Sequence, residues 1–280
     1  MKKNVVTLSM CMLAAFLFAS CGNSNTDETK KAKELEGKET KIEEKTDLTV
    51  FAAASMTESL TELKGIFEKE NPDTNVVYNF DSSGTLKTQI EEGADCDVFI
   101  SAAKKQMDEL EGLGDKESEA LIDSDSRFDL LENEVTLDIK ENSDMDISSF
   151  EDLNTDKVAS IALGNSDVPV GQYSEELLKS LGIWDDIQDK VTFGSNVKEV
   201  TTWISEGAVD CGIIYSTDAK AAGLKIVDRA DSSKFENRII YPIALTKNAK
   251  NSELGQKFLE FLKTDKAKEI FEKYGFKKAM

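Results

Sequence analysis

Histidine is absent from the 280 residues. That removes the commonest catalytic base and the commonest transition-metal ligand, so most hydrolase and metalloenzyme readings lose their support. Cysteine is scarce at 4 residues, two of them, Cys11 and Cys21, close to the start. Cys96 and Cys211 each stand just ahead of an apolar run, Val98-Phe99-Ile100 and Ile213-Ile214-Tyr215. That setting reads as two buried thiols rather than a disulfide or a metal pair. Positive charge is in deficit as well: 34 Lys and Arg face 54 Asp and Glu, for a formal net charge of -20. An acidic surface repels nucleic acid and anionic membranes, although it can still hold a small anion locally. The apolar run from Met10 to Phe18 is too short to span a bilayer.

That run follows Lys2 and Lys3 and ends in small residues, the pattern of a signal peptide over residues 1–20. It closes on Phe18-Ala19-Ser20-Cys21-Gly22, which resembles the lipobox of bacterial lipoproteins, with Cys21 as the diacylated mature N-terminus. Two acyl chains would hold the protein durably on the outer face of the cytoplasmic membrane. Cleavage after Ser20 with Cys21 unmodified is the alternative, because Phe18 stands where Leu is usual. Residues 21–46 are nearly all polar or charged, too poor in apolar side chains to offset the entropy of ordering them, and read as a flexible tether.

From Asp47 onward, short β-rich runs alternate with helical periodicity, the pattern of βα units on a mainly parallel sheet. Leu48–Phe51 reads as the first strand, followed by a helix from about Met56 to Glu70 with Leu60, Leu63, Ile66 and Phe67 on one face. Strict alternation of Val135, Leu137 and Ile139 predicts a strand exposed on one side, and the chain is expected to change lobes near it. Ile239–Leu245 reads as a return strand. The expected fold class is α/β, a two-lobe periplasmic-binding-protein-like (type II) fold with mixed sheets, a hinge and an interlobe cleft. Lobe one would hold residues 47–129 and 240–280, and lobe two residues 130–239.

Several strands end in Ser-, Thr- or Gly-rich turns that open helices. Ser55 with Glu58 three residues on has the spacing of a capping box, Asp81-Ser82-Ser83-Gly84-Thr85 opens the next helix, Asn196 with Glu199 a third, and Ser216-Thr217 a fourth. Caps of this kind stabilise helices by ~1 kcal/mol each with no further role. Their common place at strand C-terminal ends, where open α/β sheets bind ligands, points beyond stability for Ser55 and Ser83. Helix N-termini present unpaired N–H groups and partial positive charge, so they attract anions without a Lys or Arg.

The segments FAAASMTESLTELKGIFEKENP, YNFDSSGTLKTQIEEGADCDVFISA, DVPVGQY, GSNVKEV, GIIYSTDA, YPIAL and IFEKYGF occur in that order from about Leu48 to Phe276. Together they resemble the molybdate-binding component of molybdate ABC transporters, in its lipoprotein form. The resemblance implies a tetrahedral oxyanion held wholly by hydrogen bonds: from the hydroxyls of Ser55 and Ser83 in lobe one, and from the backbone at Val170 and Val197 and the Tyr215 hydroxyl in lobe two. It implies no catalysis and no cofactor, and molybdenum bound only as its oxyanion. It also implies a monomer that hands molybdate, and tungstate of nearly the same size and charge, to a permease with its ATPase. Asp81 departs from the pattern, because some relatives carry a small apolar residue there. A carboxylate beside the anion would repel it or accept a proton from a protonated one, as phosphate recognition requires; as an outward helix cap it would do neither. The other readings are a sulfate- or phosphate-type binding protein and a sensor of ligand occupancy. An enzyme of similar fold would need a nucleophile, base or cofactor lysine in the cleft, and no such constellation is evident.

Overall fold

In a computed structural model of the chain, residues 45–113 and 120–279 are described. The expected signal peptide, Cys21 and all but the end of the expected tether lie outside the described residues. The first strand, β1 (Thr46–Ala53), alternates Leu48 and Val50 with Thr49 and Phe51, so it can bury both faces under helices. β2 (Thr74–Asp81) and β3 (Val98–Ile100) pair parallel on its two sides, giving the doubly wound start expected from the alternation. The connecting helices are α1 (Thr57–Glu70), which ends at Asn71 ahead of Pro72, and α2 (Ser83–Glu91). A third helix, α3 (Lys104–Glu111), leads toward β4 (Phe128–Glu132).

The chain then enters a second sheet. It comprises β5 (Val135–Ile139), β6 (Ile161–Gly164), β7 (Val191–Gly194), β8 (Cys211–Tyr215) and β9 (Lys225–Arg229), in the order β7-β6-β8-β5-β9. Helices α4 (Pro169–Ser180), α5 (Val197–Glu206) and α6 (Ser216–Ala222) belong to this half. β10 (Ile240–Leu245) carries the chain back, and α7 (Ser252–Leu262), α8 (Asp265–Tyr274) and β11 (Lys277–Lys278) complete the first sheet, ordered β11-β4-β10-β3-β1-β2. The strands that follow the two crossings, β5 and β10, run antiparallel to their neighbours. The result is two α/β lobes with mixed sheets.

Three expectations differ from the structure. The lobe boundary placed between residues 129 and 130 falls inside β4, which pairs with β10 in the first sheet. The crossing comes a few residues later, at Asn133-Glu134, between β4 and β5. Second, β5 is buried on both faces rather than one, because α4, α5 and α6 all pack against it. Its polar positions are internally satisfied in part, with Thr136 Oγ1 donating to Asp138 Oδ2 at 2.6 Å. Third, Ser55 does not cap α1: the chain makes a 3-10 turn over Ala54–Met56 first, and Met56 occupies the cap position with no side-chain bond.

One apolar core runs from α1, α7 and α8 through the crossings into the second lobe, joined by Tyr215, Tyr241 and Phe276. A smaller cluster of Phe51, Leu86, Ile90, Phe99, Met107 and Leu110 fills the other face of the first sheet under α2 and α3. Cys96 and Cys211 are both buried and unpaired. Burial raises both thiols, Cys211 to about 12, so neither is a ready nucleophile.

Candidate functional site

Strand C-terminal ends from both sheets meet across the interlobe cleft, and the lobes touch there at several points. The N–H of Gly84, at the start of α2, donates to the carbonyl of Asp167, just before α4, at 3.0 Å. A Cβ at residue 84 would lie 2.3 Å from that carbonyl oxygen, so only glycine permits this approach. Beside it, Asn196 Nδ2 donates to Asp81 Oδ1 at 3.3 Å, and Gln106 Nε2 to Gln172 Oε1 at 3.3 Å. Lys198 on α5 reaches Glu58 on α1 at 2.7 and 2.9 Å and also pairs with the fully buried Asp218 on α6 at 3.0 Å.

The five residues expected to line the site, Ser55, Ser83, Val170, Val197 and Tyr215, are all buried. Ser83 is fully buried at the first turn of α2, and its Oγ accepts from the Ala102 N–H at 2.9 Å. Its one proton stays available, because a hydroxyl carries a single donor and two lone pairs. The capping role in this turn belongs to Ser82, whose Oγ accepts from the Thr85 N–H at 3.1 Å and donates to Thr85 Oγ1 at 2.8 Å. Ser55, released from capping, meets Tyr241 Oη at 2.9 Å. α5 packs against the turn that carries Ser55.

The backbone donors follow from helix chemistry. α4 begins with Pro169, which has no N–H, so Val170 supplies the first N–H of that helix. In α5 the Asn196 side chain takes the Glu199 N–H at 3.1 Å, as its spacing implies, and leaves the Val197 N–H without a helical acceptor. Both valines are buried. The N-terminus of α4 is held close to its strand by Gly171, where a Cβ would meet the Gly164 carbonyl at 2.3 Å.

Tyr215 ends β8 at 1% exposure. Its ring stands edge-on to Tyr241, with centroids 5.8 Å apart, and its hydroxyl is buried beside that of Tyr241 but makes no hydrogen bond of ordinary geometry among the described residues. Burial pushes the phenol well above its ordinary value, so it remains a protonated donor. Asp81 is occupied otherwise: its Oδ1 accepts from the Ser82 N–H at 2.7 Å as well as from Asn196. No group of three or more Cys, Asp or Glu residues with metal-ligating geometry occurs among the described residues.

Residues the sequence did not single out, or named only as parts of helix-opening turns, complete the surroundings. Tyr241 connects Ser55 to Asn133, whose Nδ2 donates to Tyr241 Oη at 3.0 Å. Gly84, Lys198, Glu58 and Asp218 set the closure. The nearest sequence signal was the Tyr241-Pro242 pair, where the pairing of β10 with β4 shifts register and Pro242, lacking an N–H, marks an irregular strand.

Two α/β lobes with mixed sheets, joined by two crossings and touching through the N-terminal turns of their helices, have the architecture of solute-binding proteins. Residues 48–277 match the model of the bacterial extracellular solute-binding proteins, and the chain belongs to that family. YvgL of Bacillus subtilis, named as an ABC transporter substrate-binding lipoprotein, is 34% identical over 96% of this chain and 97% of its own. The molybdate-binding protein ModA of Haemophilus influenzae is 36% identical over 82% of this chain and 89% of its own. Among solved structures, the periplasmic molybdate-binding protein of Azotobacter vinelandii shares the fold with a TM-score of 0.73 at 24% identity, over 83% of this chain and 100% of that one.

Proposed function

We infer that the chain captures molybdate outside the cytoplasmic membrane, and tungstate with it, and delivers the anion to an ABC permease and its ATPase. The observation that carries the reading is the Tyr215 hydroxyl at the end of β8, buried without a hydrogen-bond partner among the described residues. A buried donor left unmatched is destabilising by ~1–3 kcal/mol, and an anion between the lobes would relieve it. The proposed donors are the hydroxyls of Ser55, Ser83 and Tyr215 and the N–H groups of Val170 and Val197, all neutral. Hydrogen bonds to a charged group contribute ~1.5–3 kcal/mol each, enough in sum to offset the desolvation of a dianion.

Every proposed contact is a donor. Asp81, the carboxylate that the sequence offered as an acceptor for a protonated ligand, has its Oδ1 turned to the Ser82 N–H and Asn196. The site therefore favours a fully deprotonated oxyanion over hydrogen phosphate, which needs an acceptor for its own O–H. The lipoprotein name of YvgL, matched over nearly the whole chain, supports anchoring through Cys21, and labelling with a radioactive fatty acid in wild type and Cys21→Ala tests it. For the ligand, a thermal-melting screen with molybdate, tungstate, sulfate and phosphate is decisive. Molybdate and tungstate are expected to raise the melting temperature most, because a ligand bound only by the native state stabilises it. A response to phosphate alone, or to sulfate above molybdate, would overturn the assignment. Calorimetry on Ser55→Ala and Ser83→Ala tests the site, with each expected to weaken molybdate by about 10- to 150-fold.

A further inference from the structure

Asn133 stands where the chain leaves the first sheet for the second, and it is buried. The orientation of its amide is set by its neighbours. The Glu134 N–H donates to Oδ1 at 2.9 Å, and Ser216 Oγ donates to the same oxygen at 3.3 Å. The NH2 end therefore faces Thr217 Oγ1 at 2.9 Å and Tyr241 Oη at 3.0 Å. An amide nitrogen can only donate, so Tyr241 Oη accepts from Asn133. Tyr241 Oη carries one proton, and donating it to its other hydrogen-bonded partner, Ser55 Oγ at 2.9 Å, is the arrangement that leaves no buried Tyr241 donor idle. Ser55 accepts that bond and keeps its own proton for the cleft. Were the Ser55–Tyr241 bond reversed, Ser55 would turn a lone pair toward an incoming anion.

We propose that Asn133 is a positioning residue for anion capture, fixing through Tyr241 the direction of the Ser55 hydroxyl so that its proton faces the cleft. The same amide holds Ser216 and Thr217 at the start of α6, so the direction of the relay is tied to the placement of the second lobe. The inference rests on the reading of Ser55 as an anion donor.

The test is a double-mutant cycle, read as molybdate affinity by calorimetry on the whole protein. Asn133→Asp is close to isosteric and keeps the acceptor for the Glu134 N–H, but it turns the donor facing Tyr241 into an acceptor. Tyr241 then donates to the new carboxylate, and Ser55 must donate to Tyr241. The expected loss is about 100-fold from the misdirected Ser55 and the added charge together. Tyr241→Phe removes the relay and frees the Ser55 hydroxyl to rotate, for an expected loss of about 5-fold. In that background, adding Asn133→Asp is expected to weaken binding about 10-fold less than it does in the presence of Tyr241. Repulsion between the new carboxylate and the anion is common to both backgrounds and cancels. Equal losses with and without the Tyr241 hydroxyl would overturn the proposal, because a merely structural hinge residue acts the same in both. Should Asn133→Asp not fold, Asn133→Ala runs through the same cycle, with an expected loss of about 5-fold that shrinks when Tyr241 is Phe; equal losses again refute it. Ser55→Ala separates the two levels. Full affinity in that variant removes the site reading beneath the proposal, whereas weakened Ser55→Ala with an additive cycle removes the relay alone.

Discussion

Tyr215→Phe gives the sharpest test of a ligand site, because it should move two measurements in opposite directions. The substitution keeps the ring that packs edge-on against Tyr241 and deletes only a hydroxyl that is buried and unpartnered among the described residues. In the ligand-free closed form that hydroxyl is destabilising by ~1–3 kcal/mol; water reaching it when the lobes part reduces the penalty. The ligand-free variant should therefore melt at the same temperature as wild type or higher. With the anion bound, the variant lacks a hydrogen bond to a charged group, about 1.5–3 kcal/mol, or roughly 10- to 150-fold in dissociation constant. At a fixed large excess of molybdate, the ligand-induced rise in melting temperature should shrink by about 3 to 12 °C for a folded part of this size. Differential scanning fluorimetry with and without anion reads both quantities in one experiment. A variant that melts lower without ligand and keeps the full molybdate-induced rise would show the hydroxyl to be structural and refute the reasoning.

Gly84→Ala should fold normally and fail to close, since its Cβ would lie 2.3 Å from the Asp167 carbonyl oxygen. Small-angle scattering with molybdate should show no compaction, and calorimetry a loss of about 100-fold or more. Compaction like that of wild type would refute it. Lys198→Met leaves the fully buried Asp218 carboxylate without its cation, an expected destabilisation of about 3 kcal/mol in urea unfolding; adding Asp218→Asn should recover most of it. Glu58→Gln touches only the partly exposed end of that ion pair, so its effect on stability should stay below about 1 kcal/mol. Asp138 is raised to about 8 chiefly by burial. The native state thus holds a proton that the unfolded state gives up above about 4, and stability falls as pH rises from about 4 to 8. Asp138→Asn should therefore raise the melting temperature at pH 8 more than at pH 5, and an equal change at both would contradict the burial argument.

What the sequence made legible was local. Asn196 with Glu199 predicted the start of α5, because a cap is written in residues adjacent along the chain. α3 was missed because its eight residues bury only Gln106, Met107 and Leu110, a stripe too short for periodicity to register. Ser55 failed more informatively. Its spacing to Glu58 satisfies the capping rule, yet the chain inserts a 3-10 turn and gives the hydroxyl to Tyr241, 186 residues away. Val170 and Val197 were legible only through the family resemblance, since a backbone N–H leaves no mark on residue type.

The same limit explains how a chain with a net charge of -20 can offer a cleft to a dianion. Composition counts charges, whereas the cleft depends on where each one ends. Asp81 is turned to the Ser82 N–H and Asn196, and Glu58 and Asp218 share Lys198. With those carboxylates engaged, the donors proposed for the anion are neutral, and at short range their dipoles would act in a desolvated space where screening is weak. The surrounding negative charge still opposes the approach of an anion from a distance. Capture should consequently speed up with ionic strength while the strength of the closed complex changes little, so salt should alter the association rate more than the dissociation rate. Stopped-flow fluorescence across a salt series checks this. A dissociation rate that rises steeply with salt would mean that exposed cations, rather than the buried hydroxyls and helix N-termini, hold the ligand.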